Sequence, residues 1–166
     1  MTTSLWYFGY GSNMAPKTFL ERRGMQPLAV GVARLPGWAL CFDLPVGPGE
    51  RAVANLQPMP GASTWGVAYR LAVTDCERLD RSEGVPHGVY DRLAVEVYRD
   101  DDPAPLPAFT YLSRHRQPGR KPSARYLRLL LDGARHHGLP ADWVTRLERI
   151  ELAVDERERP TKGPSS

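Results

Sequence analysis

The feature that most constrains the fold is a run of short apolar segments between residues 29 and 71, repeatedly broken by proline and glycine. Segments rich in β-branched and aromatic residues that end in such clusters are typical of strands joined by tight turns. The range therefore predicts four consecutive strands connected as hairpins. These strands are VGVARL, WALCFD, RAVANLQ and TWGVAYRL.

Further strands are predicted on both sides of this block, one at residues 5–10 and two at 89–98 and 108–113. Helix signals separate these groups, so strands and helices do not alternate strictly, as a doubly wound parallel sheet requires. We therefore predict an α+β fold for residues 1–154. The fold is a small, mostly antiparallel or mixed β-barrel of six to seven strands with flanking helices, because closure removes exposed strand edges.

Two helices are predicted in the first half of the chain from their start and stop signals. Asn13 is predicted to cap a helix that ends before Gly24. Thr74 and Glu77 have the spacing of a capping box, which predicts a helix that ends near Gly84.

Two more helices are predicted in the second half. Ser123 is a suitable cap for an apolar helix that Gly138 ends, and a last helix is predicted over residues 141–153. Residues 155–166 contain no apolar residue that could join a core, so we predict a disordered tail.

Charge and cysteine content favour a cytoplasmic protein that does not require a polyanionic partner. The chain has 166 residues and a net charge of +3, which is too small to require a polyanionic partner, so no nucleic acid is predicted. Its two cysteines form neither a disulfide framework nor a metal-binding cluster. No apolar stretch is long enough to cross a membrane, so no membrane association is predicted.

The segment at residues 10–13, YGSN, lies where a strand gives way to a helix. Successive backbone N–H groups in such a loop can bind an anion or an oxyanion, and Gly11 lets the backbone approach a ligand closely. The alternative is a tight turn in which Asn13 only caps the helix.

Glu83 is unusual because a carboxylate at the end of a helix faces the negative end of the helix dipole. It is either a solvated residue that pairs with Arg78 or Arg81, or a general base held in a pocket with a raised pKa.

The motifs YFGYGSNM and LDRSEGVPHGVY, in this order around a β-rich block, resemble the γ-glutamylcyclotransferase family of the AIG2-like superfamily. The resemblance continues through SARYLRLLLDGARHHGLP and covers roughly residues 5–152. It implies a small β-barrel enzyme that converts a γ-glutamyl compound into 5-oxoproline and a free amine, without metal or cofactor.

The resemblance also implies roles for individual residues. Glu83 matches the catalytic glutamate of the family. The remaining matches line the substrate pocket: Tyr10, Gly11, Ser12, Asn13, Tyr90 and Tyr111. A homodimer is a further possibility that the resemblance raises.

The predicted substrates are γ-glutamyl amino acids or short γ-glutamyl peptides. Two alternatives stay open at this point: a cyclotransferase for γ-glutamylamines, such as those on lysine side chains or on a larger carrier, and a barrel that binds a small acid or a partner without turnover. The basic stretch at residues 114–128 could form one rim of the site and attract anionic peptides.

Overall fold

The structure, a computed structural model, describes residues 3–154, in which five strands close into a barrel. The strands are β1 (Ser4–Gly9), β2 (Ala29–Pro45), β3 (Ala52–Ala72), β4 (Asp91–Arg99) and β5 (Pro105–Leu112). Their order around the barrel is β1-β3-β2-β4-β5, with β1 parallel to β5 and the other neighbouring pairs antiparallel. The predicted α+β class and mixed barrel are confirmed.

The predicted number of six to seven strands is wrong, because the four segments predicted between residues 29 and 71 form two long strands. β2 and β3 pair along nearly their whole lengths. The turn predicted at Pro36 is a bulge, since pairing resumes at Trp38 while β3 passes through residues 58–63. The extra residues of β3 bend the ribbon without ending it.

Helices lie between and after the strands. They are a short π-helix (Lys17–Arg22), α1 (Val73–Ser82), α2 (Ala124–His137) and α3 (Ala141–Glu148), with 3-10 turns at Ser12–Met14 and Val85–His87. The last helix is shorter than the predicted 141–153. The tail predicted at 155–166 lies outside the described residues.

The predicted helix ends at Gly24, Gly84 and Gly138 are confirmed, whereas only one of the predicted N-terminal caps, Ser123, is confirmed. The Ser123 hydroxyl accepts a hydrogen bond from the backbone N–H of Tyr126, and Gly138 ends α2 with a φ of +74°. α1 instead begins directly after β3, so Thr74 lies inside it and caps nothing. Asn13 makes no capping hydrogen bond, because its side chain contacts other groups.

Two apolar clusters hold the elements together. One fills the barrel with residues from four strands, among them Phe8, Leu35, Leu56 and Val97, which are all almost completely buried. The other joins strands to the helices through residues such as Leu79 and Leu130. Burial of side chains of this size contributes about 1.5 to 3 kcal/mol each, so the clusters fix the barrel and its helices as one unit.

Within residues 3–154, no helix combines the length and the apolar character that crossing a membrane requires.

Candidate active site

The segments that carry the predicted site residues meet at one end of the barrel. β1 and β5 are parallel, so both finish at this end, and β3 and β4 run antiparallel to them and begin there. Residues 10–13 follow β1, Tyr111 lies near the end of β5, and Tyr90 directly precedes β4. Glu83 is the first residue after α1. The topology therefore brings together residues that are far apart in the sequence.

These residues surround a small cavity of about 40 Å³. Its lining contains every residue that the sequence predicted for the site, together with three others. The lining residues are Tyr7, Tyr10, Gly11, Ser12, Asn13, Ala54, Glu83, Tyr90, Tyr111 and Tyr126. The structure thus brings the predicted set together, while the role of each residue stays a prediction.

Glu83 faces this cavity and not the solvent, since only 12% of its side chain is exposed. Its Oε1 accepts a hydrogen bond of 2.7 Å from Nδ2 of Asn13 and lies 3.7 Å from the guanidinium of Arg23. The alternative of a solvated residue is therefore wrong. Arg78, one of the partners considered for it, pairs with Asp75 instead.

The Asn13 side chain is held in one orientation by three hydrogen bonds. Its Oδ1 accepts from Nε of Arg23 at 2.7 Å, so its Nδ2 must face the cavity. That Nδ2 donates both to Glu83 and to the hydroxyl of Tyr7, at 2.9 Å from the latter. Because Arg23 has no acceptor atom, the amide cannot flip without losing this bond. Asn13 therefore positions the carboxylate and does not cap a helix.

Burial raises the pKa of Glu83 above the ordinary value for a glutamate, because the ionised carboxylate loses hydration in the cavity. The positive charge of Arg23 and the hydrogen bond from Asn13 oppose this rise. The result is a carboxylate whose pKa is moved toward neutral pH while it stays hydrogen bonded. Such a group is suited to accepting a proton and returning it.

The tyrosines of the cavity have distinct hydrogen-bond partners. The Tyr90 hydroxyl donates to the carbonyl oxygen of Ala54 at 2.7 Å, and the Tyr10 hydroxyl donates to that of Tyr111 at 2.6 Å. The Tyr111 hydroxyl donates to Asp80 at 2.6 Å, so Tyr111 offers its ring and not its hydroxyl to the cavity. Burial raises the pKa of Tyr10 and Tyr90, so both phenols are neutral.

The loop at residues 10–13 packs closely against Tyr126 of α2, which was not among the predicted site residues. A β-carbon added to Gly11 would lie 3.1 Å from the Tyr126 hydroxyl and 3.4 Å from the β-carbon of Ala54. The Tyr126 hydroxyl also accepts a hydrogen bond of 3.1 Å from the backbone N–H of Ala54. Glycine at position 11 therefore allows the loop backbone to approach the cavity wall.

The contacts at the site that sequence reasoning missed are Tyr7, Arg23, Ala54 and Tyr126. Tyr7 has the strand pattern of a core residue, and Tyr126 has the helical spacing of one. Arg23 precedes a glycine, as many helix-end residues do. No local signal distinguishes these residues, because their roles arise from contacts between distant segments.

A group that could hold a metal ion, made of three or more His, Cys, Asp or Glu side chains, does not occur in the described part of the chain.

The fold and the site define a small-barrel protein with one buried carboxylate in a tyrosine-lined cavity. The sequence model of the AIG2-like family matches residues 63–147. The γ-glutamylcyclotransferase of Mus musculus is 30% identical over 149 residues, which cover 87% of this chain and 78% of that relative. The γ-glutamyl cyclotransferase gliK of Claviceps purpurea is 34% identical over 146 residues, 81% of this chain and 64% of that relative.

A solved structure of a γ-glutamyl cyclotransferase superposes with a TM-score of 0.80 at 26% identity, over 92% of this chain and 91% of that chain. The chain belongs to the γ-glutamylcyclotransferase family, within the AIG2-like proteins. The family predicted from the two motifs is confirmed, and it is a family of enzymes.

Proposed function

We propose that this protein is a γ-glutamylcyclotransferase that releases 5-oxoproline and a free amine from γ-glutamyl amino acids or short γ-glutamyl peptides. The observation that carries the proposal is that the buried Glu83 carboxylate faces the same cavity as the loop at residues 10–13, 2.7 Å from Asn13. The names of the relatives support the same activity.

The reaction is an intramolecular aminolysis. The free α-amine of the glutamyl group attacks its own side-chain carbonyl and closes a five-membered ring, and the bond to the leaving amine then breaks. Since both reacting groups belong to one molecule, a cavity that holds the glutamyl chain folded supplies most of the proximity that the reaction needs. Tyr90 and Tyr111 line the cavity, and their rings are candidates to hold the glutamyl chain.

Two proton transfers remain for the protein. The attacking amine must lose a proton to become nucleophilic, and the leaving amine must gain one to depart. Glu83 takes the first proton and returns it to the leaving nitrogen. The attacking nitrogen loses a second proton when it becomes the ring amide, and this proton also passes to the leaving amine, which departs as an ammonium ion, so the proton count balances. The raised pKa of Glu83 favours this double role, because a carboxylate with an ordinary pKa would protonate the leaving amine poorly.

The tetrahedral intermediate carries a negative oxygen. Gly11, Ser12 and Asn13 line the cavity, and their backbone N–H groups are candidates to stabilise that oxygen or to bind the α-carboxylate of the substrate.

We also propose a cytoplasmic location. Cys41 and Cys76 are both free thiols, which is expected in a reducing compartment. Burial raises the pKa of Cys41 to about 12 and that of Cys76 to about 11, so neither is an activated nucleophile that would compete with Glu83 for a catalytic role.

A panel of γ-glutamyl compounds tests the proposed activity. The purified protein is expected to release 5-oxoproline from γ-glutamyl-alanine or from glutathione, measured by mass spectrometry against an enzyme-free control. Release only from ε-(γ-glutamyl)-lysine would assign the protein to γ-glutamylamines instead. Binding of the panel with full recovery of unchanged compounds would contradict the enzyme and indicate a binding barrel.

A further inference from the structure

A second and much larger depression, of about 610 Å³, adjoins the cavity. We call it the basic groove, because its charged side chains are all cationic and none of the described residues that line it is acidic. These side chains are Lys17, Arg22, Arg51, Arg125 and Arg128.

The basic groove and the cavity share one wall. Tyr126 lines both, and Ala52 and Val53 of β3 line the groove while the next residue, Ala54, lines the cavity. The Tyr126 hydroxyl, bonded to the Ala54 N–H, therefore marks the border between them. A substrate that places its glutamyl group in the cavity has the groove available for the rest of the molecule.

Three cations of the groove have no partner among residues 3–154. Ion pairs neutralise arginines elsewhere, for example Arg92 with Asp80 and Arg116 with Asp43. In contrast, the exposed side chains of Lys17, Arg22 and Arg128 make no ion pair or hydrogen bond within those residues. Arg51 and Arg125 do have interactions and add their charge to the same wall.

We propose that the basic groove binds the leaving amine of the substrate and favours leaving amines that carry two carboxylates over those that carry one. The inference rests on the proposed cyclotransferase function and names its substrate class more closely. One carboxylate can pair with one or two cations, so three unpaired cations exceed what a simple amino acid would neutralise. The apolar side chains of Val46, Val53 and Leu129 offer contacts for methylene groups between two carboxylates.

Two substrates of equal size test whether the groove recognises the second carboxylate of the leaving amine and not only its size. γ-Glutamyl-glutamate and γ-glutamyl-glutamine differ only in that a carboxylate of the leaving amine becomes an amide. At low ionic strength we expect kcat/KM to be about fivefold higher for γ-glutamyl-glutamate, mainly through KM, because exposed ion pairs contribute modestly. The preference is expected to disappear at about 0.5 M NaCl, where exposed charges are screened.

Two double variants, each lacking two cations, test whether the preference for γ-glutamyl-glutamate depends on the groove. Lys17→Gln with Arg128→Gln removes two unpaired cations from the groove. Arg114→Gln with Arg135→Gln removes two exposed cations outside it, and the second of these lies on the same helix as Arg128. Only the first pair is expected to abolish the preference for γ-glutamyl-glutamate, while the second pair is expected to retain it.

Each outcome decides the inference. Equal kcat/KM for the two substrates in the wild-type protein, or equal loss of the preference in both double variants, would contradict the proposed role of the groove in binding the leaving amine. In either case, release of 5-oxoproline would still support the proposed function. Absence of 5-oxoproline from every γ-glutamyl compound overturns both.

Discussion

The Glu83→Gln variant is expected to release 5-oxoproline from γ-glutamyl-alanine at least about 10²-fold more slowly than the wild-type protein. Glutamine keeps the size of the side chain and can still accept the hydrogen bond from Asn13, but it cannot take up and return a proton. The measurement is kcat at saturating substrate. Glu77→Gln is the matched control, because it makes the same change at an exposed position of α1, the helix that Glu83 directly follows, and should leave kcat unchanged.

The pH dependence of kcat/KM shows whether Glu83→Gln loses activity because a proton carrier is missing or because the structure is disturbed. Wild-type kcat/KM should rise with pH as Glu83 ionises, at a midpoint above that of an ordinary glutamate, because burial raises this pKa. The variant should lack that rise. A residual activity with the same pH profile as wild type would assign the proton transfer to another group.

Thermal stability should change in the opposite direction to activity. The folded state binds the Glu83 proton more tightly than the unfolded state does, so ionisation of this group costs stability as pH rises above its unfolded pKa, about 4.3. Glutamine avoids that cost. The melting temperature of Glu83→Gln at pH 7 should therefore equal or exceed that of wild type, with the difference vanishing at acid pH.

Gly133→Ala is expected to lower the free energy of unfolding by about 2 to 3 kcal/mol and to reduce activity as well. A β-carbon at position 133 of α2 would lie 2.5 Å from both the carbonyl carbon and the β-carbon of Met14. The helix itself would gain up to about 1 kcal/mol from alanine, so the clash must outweigh that gain. Met14 follows Asn13 directly, so its displacement would move the residue that positions Glu83.

Gly31→Ala is the control for this variant, because a β-carbon there meets no atom within 4 Å. Urea denaturation should show a change within about 0.5 kcal/mol for Gly31→Ala, with wild-type turnover. If Gly133→Ala behaved in the same way, the contact of α2 with the loop would not support the site.

The sequence predicted the order of the elements and the class of fold, because turn residues and apolar periodicity are local signals. It did not predict the number of strands. Pro36 and Gly37 have the composition of a turn, but the long partner strand β3 holds them in a bulge. Whether such residues end a strand depends on pairing with distant residues, which one sequence does not show.

The helix caps illustrate the same limit. Ser123 bonds to an N–H three residues away, so its role is local and could be predicted. Thr74 has an equally good local pattern, but β3 continues to Ala72 and the helix begins directly after it. The connection to the barrel therefore decides where α1 starts.

The loop at residues 10–13 and Glu83 are candidates from local pattern, but that they form one site could be predicted only through the family resemblance. Asn13 and Glu83 are separated by 70 positions, and composition and spacing offer no reason for them to meet. Tyr126 is missed for a related reason, since the apolar spacing of α2 hides a hydroxyl that points at the cavity border. The sequence therefore predicts the site residues that belong to the family motifs. It does not predict the residues that reach the site only through packing of distant segments.

A crystal structure with bound 5-oxoproline tests the central claim most directly. The product is expected to occupy the cavity, with the Glu83 carboxylate at about 2.6 to 3.2 Å from the ring nitrogen and the ring beside the loop at residues 10–13. Product bound away from this cavity, or a Glu83 side chain turned out of reach of the ring nitrogen, would contradict the claim.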